Sequence, residues 1–189
     1  MKWLKAPALH MLAFGALLFG LTELVGGGLL PHKKRIEVPA HRLEAMQKYA
    51  EEVGDKVTVE GALAAWINTD LNVQIDDEEQ WGAFGKIAAQ ANSAAGWGAE
   101  KMTKYFNPVV LALIDLLKKA MPDCDEATIF WGYHFVSGAM THNMARTGRL
   151  DDLSHGLCSS SDFVSIRKHM ARFMAAGFEA ICRGTPARK

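Results

Sequence analysis

Cysteine is scarce in this chain. The 189 residues hold three, Cys124, Cys158 and Cys182. They lie far apart, are odd in number and fit no CxxC spacing. That pattern supplies neither a disulfide framework nor a zinc site, and it reads as reduced, buried thiols in the cytosol. Strand signals are also missing. No stretch alternates apolar and polar residues for long enough, and no Asn-Gly or Asp-Gly pair marks a hairpin. Catalytic signatures are missing too: there is no HExxH, GxSxG, Walker loop or GxGxxG. GAFG and GWG are too short to cradle a phosphate. The run Asp76-Asp77-Glu78-Glu79 lacks the alternating ligands and central Gly of a calcium loop, and suits a solvated helix start. His134 and His142, eight positions apart, have no third ligand nearby. Ser159, Ser160 and Ser161 near His155 are the one hint of a nucleophile, and helix capping explains them more simply. The expectation is a protein that is not an enzyme, with no metal and no cofactor.

Charge of one sign is absent overall, since 21 basic residues balance 21 acidic ones. Its distribution is uneven. In residues 1–35, Lys2, Lys5, Lys33, Lys34 and Arg35 stand against Glu23, giving +4 and leaving −4 for the remainder. A mildly acidic body has no broad basic face for phosphates, so residues 36–189 alone are a poor nucleic-acid binder. A full membrane span is also hard to find. The uncharged run Ala6 to Thr22 is 17 residues long, includes His10 and is stopped by Glu23, whereas a spanning helix needs about 20 apolar residues. With its basic start and Gly26 to Gly28, the segment has the features of a signal peptide. A buried helix of a truncated or altered domain is the alternative. If the segment acts at a membrane, residues 7–31 are the part that does so.

Helical signals fill the rest, and the fold class is all-α. PAHRLEAMQKYAEEV opens on Pro39 and spaces Leu43, Met46, Ala50 and Val53 along one face. Thr58 is placed to cap TVEGALAAWINTDL, with Glu60 in the first turn. Trp97 to Met121 reads as a long helix with a kink or break expected at Pro108. Asp123 or Asp125 can cap a helix from Glu126 to Leu150. LSHGLCSSSD, residues 153–162, then forms a stop followed by a start, with Ser159 and Asp162 spaced as a capping box. From Phe163 the apolar positions 163, 166, 170, 173, 174, 177, 178 and 181 make one stripe.

The last two long helices carry more apolar surface than a hairpin hides. Burial against the same pair in a second copy, as a twofold four-helix bundle, disposes of it. Candidate interface residues are Gly138, His142, Phe163, Met170, Phe173 and Gly177. The small residues Ser137, Gly138 and Ala139 permit close helix approach.

A run of segments in order carries a family resemblance: KKRIEVPAHRLEAM, TVEGALAAWI, KYFNPVVLALIDLLKKAMPD, FWGYHFVSGAMTHNMARTGRL, LSHGLCSSSDF and RFMAAGFEAI. Over residues 33–183 the chain resembles the C-terminal regulatory domain of TetR/AcrR-family transcription regulators. The resemblance implies a helical domain, residues 36–189, that dimerises through its last two helices and encloses a pocket for a small molecule. Pocket candidates are Trp66, Trp81, Phe84, Phe106, Phe130 and Met140, with His134 placed to orient a guest. Aromatic and Met linings suit a small apolar or aromatic effector. In that family an N-terminal helix-turn-helix binds operator DNA, and here the preceding segment departs from the pattern. MKWLKAPALHMLAFGALL lacks Arg, Ser, Thr and Tyr and has few groups for phosphates or base edges. Operator DNA is therefore a partner only if residues 1–35 complete a reading head. A late start site, a frameshift or divergence, and a real membrane or export segment are the three explanations of that departure. A membrane-anchored or exported helical binding protein is the alternative function.

Overall fold

Helical spacing of apolar residues is realised along the chain. The computed structural model describes residues 38–76 and 78–183. Among the described residues, regular structure is helical throughout. The elements are α1 (Val38–Val53), α2 (Val59–Asp76), α3 (Glu78–Ser93), α4 (Trp97–Ala120), α5 (Glu126–Ala145), α6 (Arg149–Leu153) and α7 (Phe163–Arg183). The signal-peptide-like segment in residues 1–35 lies outside the described residues. Among those that are described, no helix is long and apolar enough to cross a membrane.

Two start signals act as the sequence suggests. Thr58 Oγ1 accepts the Gly61 N–H at 3.1 Å, capping α2. Asp125 Oδ2 accepts the Thr128 N–H at 3.1 Å, capping α5. These contacts satisfy backbone donors that the first helical turn leaves without partners.

α2 is the central element and packs on α1, α3, α4 and α7. Its buried positions are Val59, Ala62, Leu63, Trp66, Ile67, Asp70, Leu71 and Gln74. These steps of three and four are one continuous stripe of a helix. The stripe meets Met46 of α1, Leu113 and Leu117 of α4, and Phe178 of α7 in a shared core. α5 turns Ile129, Gly132, Val136, Met140 and Met144 inward. Gly132 is required by contact: a Cβ there would stand 2.2 Å from a ring carbon of Phe178, which is itself 2% exposed.

Of the kink or break expected at Pro108 the break does not occur, and three further expectations are corrected. First, α4 runs through Pro108 as one helix of 24 residues. The helix tolerates the lost N–H because Val109, Leu113 and Leu117 beyond it are fully buried. Second, the helix after Asp125 ends at Ala145 instead of Leu150. Arg146 takes a left-handed conformation, φ 47°, and its guanidinium lies 4.5 Å from the Phe163 ring centroid. The same group donates to Gln74 Oε1 at 2.7 Å. Tertiary contacts of one side chain thus terminate the helix. Third, Asp162 is the residue that caps α7. Its Oδ1 accepts the Ser165 N–H at 2.9 Å. Ser159 Oγ instead donates to Asp151 at 3.1 Å, and Asp151 also accepts the Ser160 N–H at 2.8 Å. Fourth, Cys124 and Cys182 form a disulfide across 58 residues, with only Cys158 free and exposed. Sequence distance hid the pair. Packing of α5 and α7 brings the start of one helix to the end of the other, with Cα atoms 5.1 Å apart. A crosslink of this kind typically stabilises by about 2–4 kcal/mol.

Two predictions follow from this packing. Gly132→Ala should destabilise the fold by about 1–3 kcal/mol in urea unfolding, as overpacking a filled core does. Combined with Phe178→Ala the loss should be smaller than the two single losses added, because the second change removes the clash. At the start of α7, bonds from the Ser165 backbone and hydroxyl hold the Asp162 carboxyl below its usual 3.8. An acid depressed in this way stabilises above its ordinary pKa, and the contribution fades as pH falls through the folded value. Asp162→Ala should therefore speed amide exchange at Ser165 at neutral pH, and Ser159→Ala should not. In the unaltered protein the same loss should begin only below pH 3.8.

Candidate functional site

The inward stripe of α2 changes character along its length. Its first members are apolar, and then Asp70 and Gln74 occupy the same stripe, 6% and 3% exposed. A buried carboxylate and a buried amide both need partners. Arg42 of α1 supplies the first. Its Nε donates to Asp70 Oδ1 at 2.6 Å and its Nη2 pairs with Oδ2, a two-pronged contact. The guanidinium carbon also lies 5.2 Å from the ring centroids of Trp66 and Phe106. Burial pushes Arg42 down to about 10, which leaves it cationic at neutral pH. Gln74 is held from both sides: its amide nitrogen donates to the Trp81 carbonyl at 3.1 Å, and its oxygen accepts from Arg146.

These side chains border a cavity of about 80 Å³ among α1 to α5. Trp66, Phe84, Phe106 and Met140, four of the residues expected from the sequence, line it together with Arg42, Asp70, Gln74, Asn92 and Tyr133. Trp66 meets Tyr133 edge-on, with centroids 6.2 Å apart. The indole Nε1 of Trp66 is buried and has no hydrogen-bond partner among the described residues. About 150 Å³ is known to hold benzene in a protein interior, so a one-ring guest needs this cavity to widen. A groove of about 620 Å³ between α3 and α5 adjoins it, and Ala89, Asn92, Tyr133, Ser137 and Thr141 line both spaces. At that boundary the Asn92 amide donates to Thr141 at 2.5 Å and to Ser137 at 3.4 Å.

Three expected pocket residues lie elsewhere. Trp81 packs edge-on against Phe84 at 5.6 Å and does not line the cavity. Phe130 is 42% exposed on the outside of α5. His134 borders the outer groove, as does His142, and its ring stands 5.9 Å from Trp131. Among the described residues, no three His, Cys, Asp or Glu side chains gather where they could hold a metal.

The candidate interface residues divide in two. Phe163 and Met170 are buried within the chain, 4% and 6% exposed. Gly138, His142, Phe173 and Gly177 are exposed. A Cβ on Gly138 or on Gly177 would meet nothing within 4 Å. Trp131 and Phe135 share the outer side of α5 and are 60% and 57% exposed, while Phe173 on α7 is 73% exposed.

Arg42, Asp70, Gln74 and Asn92 were missed from the sequence. For Asp70 and Gln74 a signal existed: both fall in phase with the apolar stripe of α2. Nothing in the spacing marks Arg42 as their partner, since 28 residues separate it from Asp70.

Neither the curated proteins nor the solved structures include a match to this chain. A family model described as the tetracycline repressor-like C-terminal domain matches residues 64–177, more than half of the chain. That match covers the segments that build the cavity floor, the outer face of α5 and most of α7, and on it the chain belongs to the family of tetracycline repressor-like regulators, through their C-terminal domain.

Proposed function

We propose that residues 36–189 are the dimerisation and effector-sensing part of a TetR-like transcription regulator acting in the cytoplasm. The cavity among α1 to α5 carries this reading, because it combines aromatic walls with a few convergent polar groups. The effector is a small apolar or aromatic molecule. Its entry displaces Asn92 from Ser137 and Thr141, which shifts α3 against α5. The outer side of α5 is where a second copy binds. Trp131 and Phe135 supply apolar area there, and Gly138 leaves room for close approach. A guest that moves α5 therefore acts directly on the pairing surface.

Gly138→Leu probes this interface, since a Cβ at that position meets nothing within 4 Å inside its own subunit. Sedimentation at low micromolar concentration should show a dimer weakened by about 1–3 kcal/mol. An unchanged dimer mass would remove Gly138 from the contact. Titration of the same chain with its own upstream DNA over a salt series tests the reading head. Specific, salt-steep binding assigns that role to residues 1–35. A soluble dimer that ignores this duplex performs sensing and pairing alone.

One observation favours a second reading, an exported or membrane-anchored helical binding protein. Disulfides persist mainly in oxidising compartments, and Cys124 is joined to Cys182. Thiol alkylation on lysis, read by mass, separates the two. A reducing cytoplasm opens the Cys124–Cys182 bond and gives three labels per chain, whereas an exported protein keeps the bond and takes up one label, at Cys158.

A further inference from the structure

Two helix ends meet at the Cys124–Cys182 bond, and they are held differently. Cys124 lies in a fixed turn. Its N–H donates to the Met121 carbonyl at 3.1 Å, the next residue, Asp125, caps α5, and Lys118 of α4 pairs with Glu126 just beyond. Cys182 lies in the last turn of α7, past the point where burial anchors that helix. Phe178 is the last buried residue of α7 among those described, and none of residues 179–183 is buried. The crosslink is therefore a covalent tie on a turn that the core does not grip. Both half-cystines are partly exposed and lie outside the fully buried core. Helix ends fray, which brings such a bond within reach of small thiols, and accessible disulfides are the labile, regulatory ones. Trp131, 60% exposed, stands about two helical turns beyond Cys124 on α5. The bond thus joins the end of α7 to the end of α5 that carries this exposed ring.

We infer that Cys124 and Cys182 form a reversible redox switch: oxidation pins the last turn of α7 to the start of α5, and reduction releases it. The oxidant is hydrogen peroxide and the reductant a small thiol such as glutathione. One cysteine thiol attacks a peroxide oxygen, becomes a sulfenic acid and releases a water. The second thiol displaces the sulfenic oxygen as another water and closes the S–S bond. Two thiol hydrogens and two electrons pass to the peroxide. Two glutathione thiols reverse the step, returning two electrons and two protons, and leave as glutathione disulfide. The consequence for assembly rests on the pairing role proposed above for the outer side of α5. The oxidised form is the tighter dimer, because its α5–α7 pair is fixed before the second copy arrives.

The full chain carrying Cys158→Ser, in which the pair holds the remaining thiols, tests the inference beside the unaltered chain. Excess reduced glutathione should open the bond, read by mass as two alkyl labels per variant chain. Hydrogen peroxide, added after the glutathione is removed, should return the count to zero. A bond that glutathione leaves closed, or thiols that peroxide leaves unjoined, overturns the inference. Amide exchange then reads the release. Residues 179–183 should exchange several-fold faster in the open form, by more than any change over Ile129 to Met140. A uniform rise, or none, marks the bond as mere bracing and overturns the switch. Sedimentation should show the dimer weakened by about fivefold or more on opening. Equal dimer strength in both forms overturns the control of assembly. A monomer in both forms overturns the pairing surface proposed above and that control with it, while exchange still decides the release. Cys182→Ser should match the open form even under peroxide, and the two redox forms of the unaltered chain decide the matter if that variant folds poorly.

Discussion

Asp70 lies one helical turn beyond Trp66 on the inward stripe of α2, and its carboxylate receives two N–H groups of Arg42 from α1. Both side chains are nearly enclosed, 12% and 9% exposed. Removing either partner would leave a buried charge, a loss of about 3–5 kcal/mol in comparable cases. The pair therefore fixes where α1 sits on α2. It also supplies the charged part of the cavity lining. Trp66 and Phe106 lie under the guanidinium, so the aromatic walls of the cavity are placed by the same contact.

From this contact the rest of the architecture follows in order. The apolar part of the α2 stripe builds the core with α1, α4 and α7, while its polar end borders the cavity. Gln74 extends the polar end to Arg146, and Arg146 closes α5 through its left-handed turn. One amide thereby links the cavity wall to the point where the chain leaves α5. The Cys124–Cys182 bond holds the opposite end of α5 to the end of α7. α5 is thus secured at both ends, and its middle separates the cavity from the outer aromatic surface. A helix with one face on a cavity and the other on solvent suits the transmission of a binding event.

Much of this was legible in the sequence, and the reasons are local. Spacings of three and four, Thr58 and Asp125 as caps, and the lack of strand alternation are short-range signals that tertiary packing did not overrule. Trp66, Phe84, Phe106 and Met140 meet at the cavity because large apolar side chains on helices before the last pair tend to meet inside. Phe130 and His134 carry the same residue-type signal but fall on the outer side of α5. Helix phase, set by which residues α3 and α7 cover, separates them from Met140. Phe173 and Gly177 belong to an apolar stripe on paper, yet Phe178 and Ala175 are the residues turned inward. A stripe more than one residue wide leaves its inner edge undefined until the neighbour is in place.

The sequence by itself determined the all-helical class, most helix starts and the aromatic character of the interior, because period and capping depend on residues a few positions apart. Tertiary structure alone decided four matters: the Arg42–Asp70 pair, the disulfide, the early end of α5 at Arg146 and the replacement of Ser159 by Asp162 as the cap of α7. The first three join residues brought together only by packing, and the fourth follows because Asp151 claims Ser159 once the turn has closed. Contacts between residues distant in sequence depend on which helices become neighbours, and periodicity does not encode that choice.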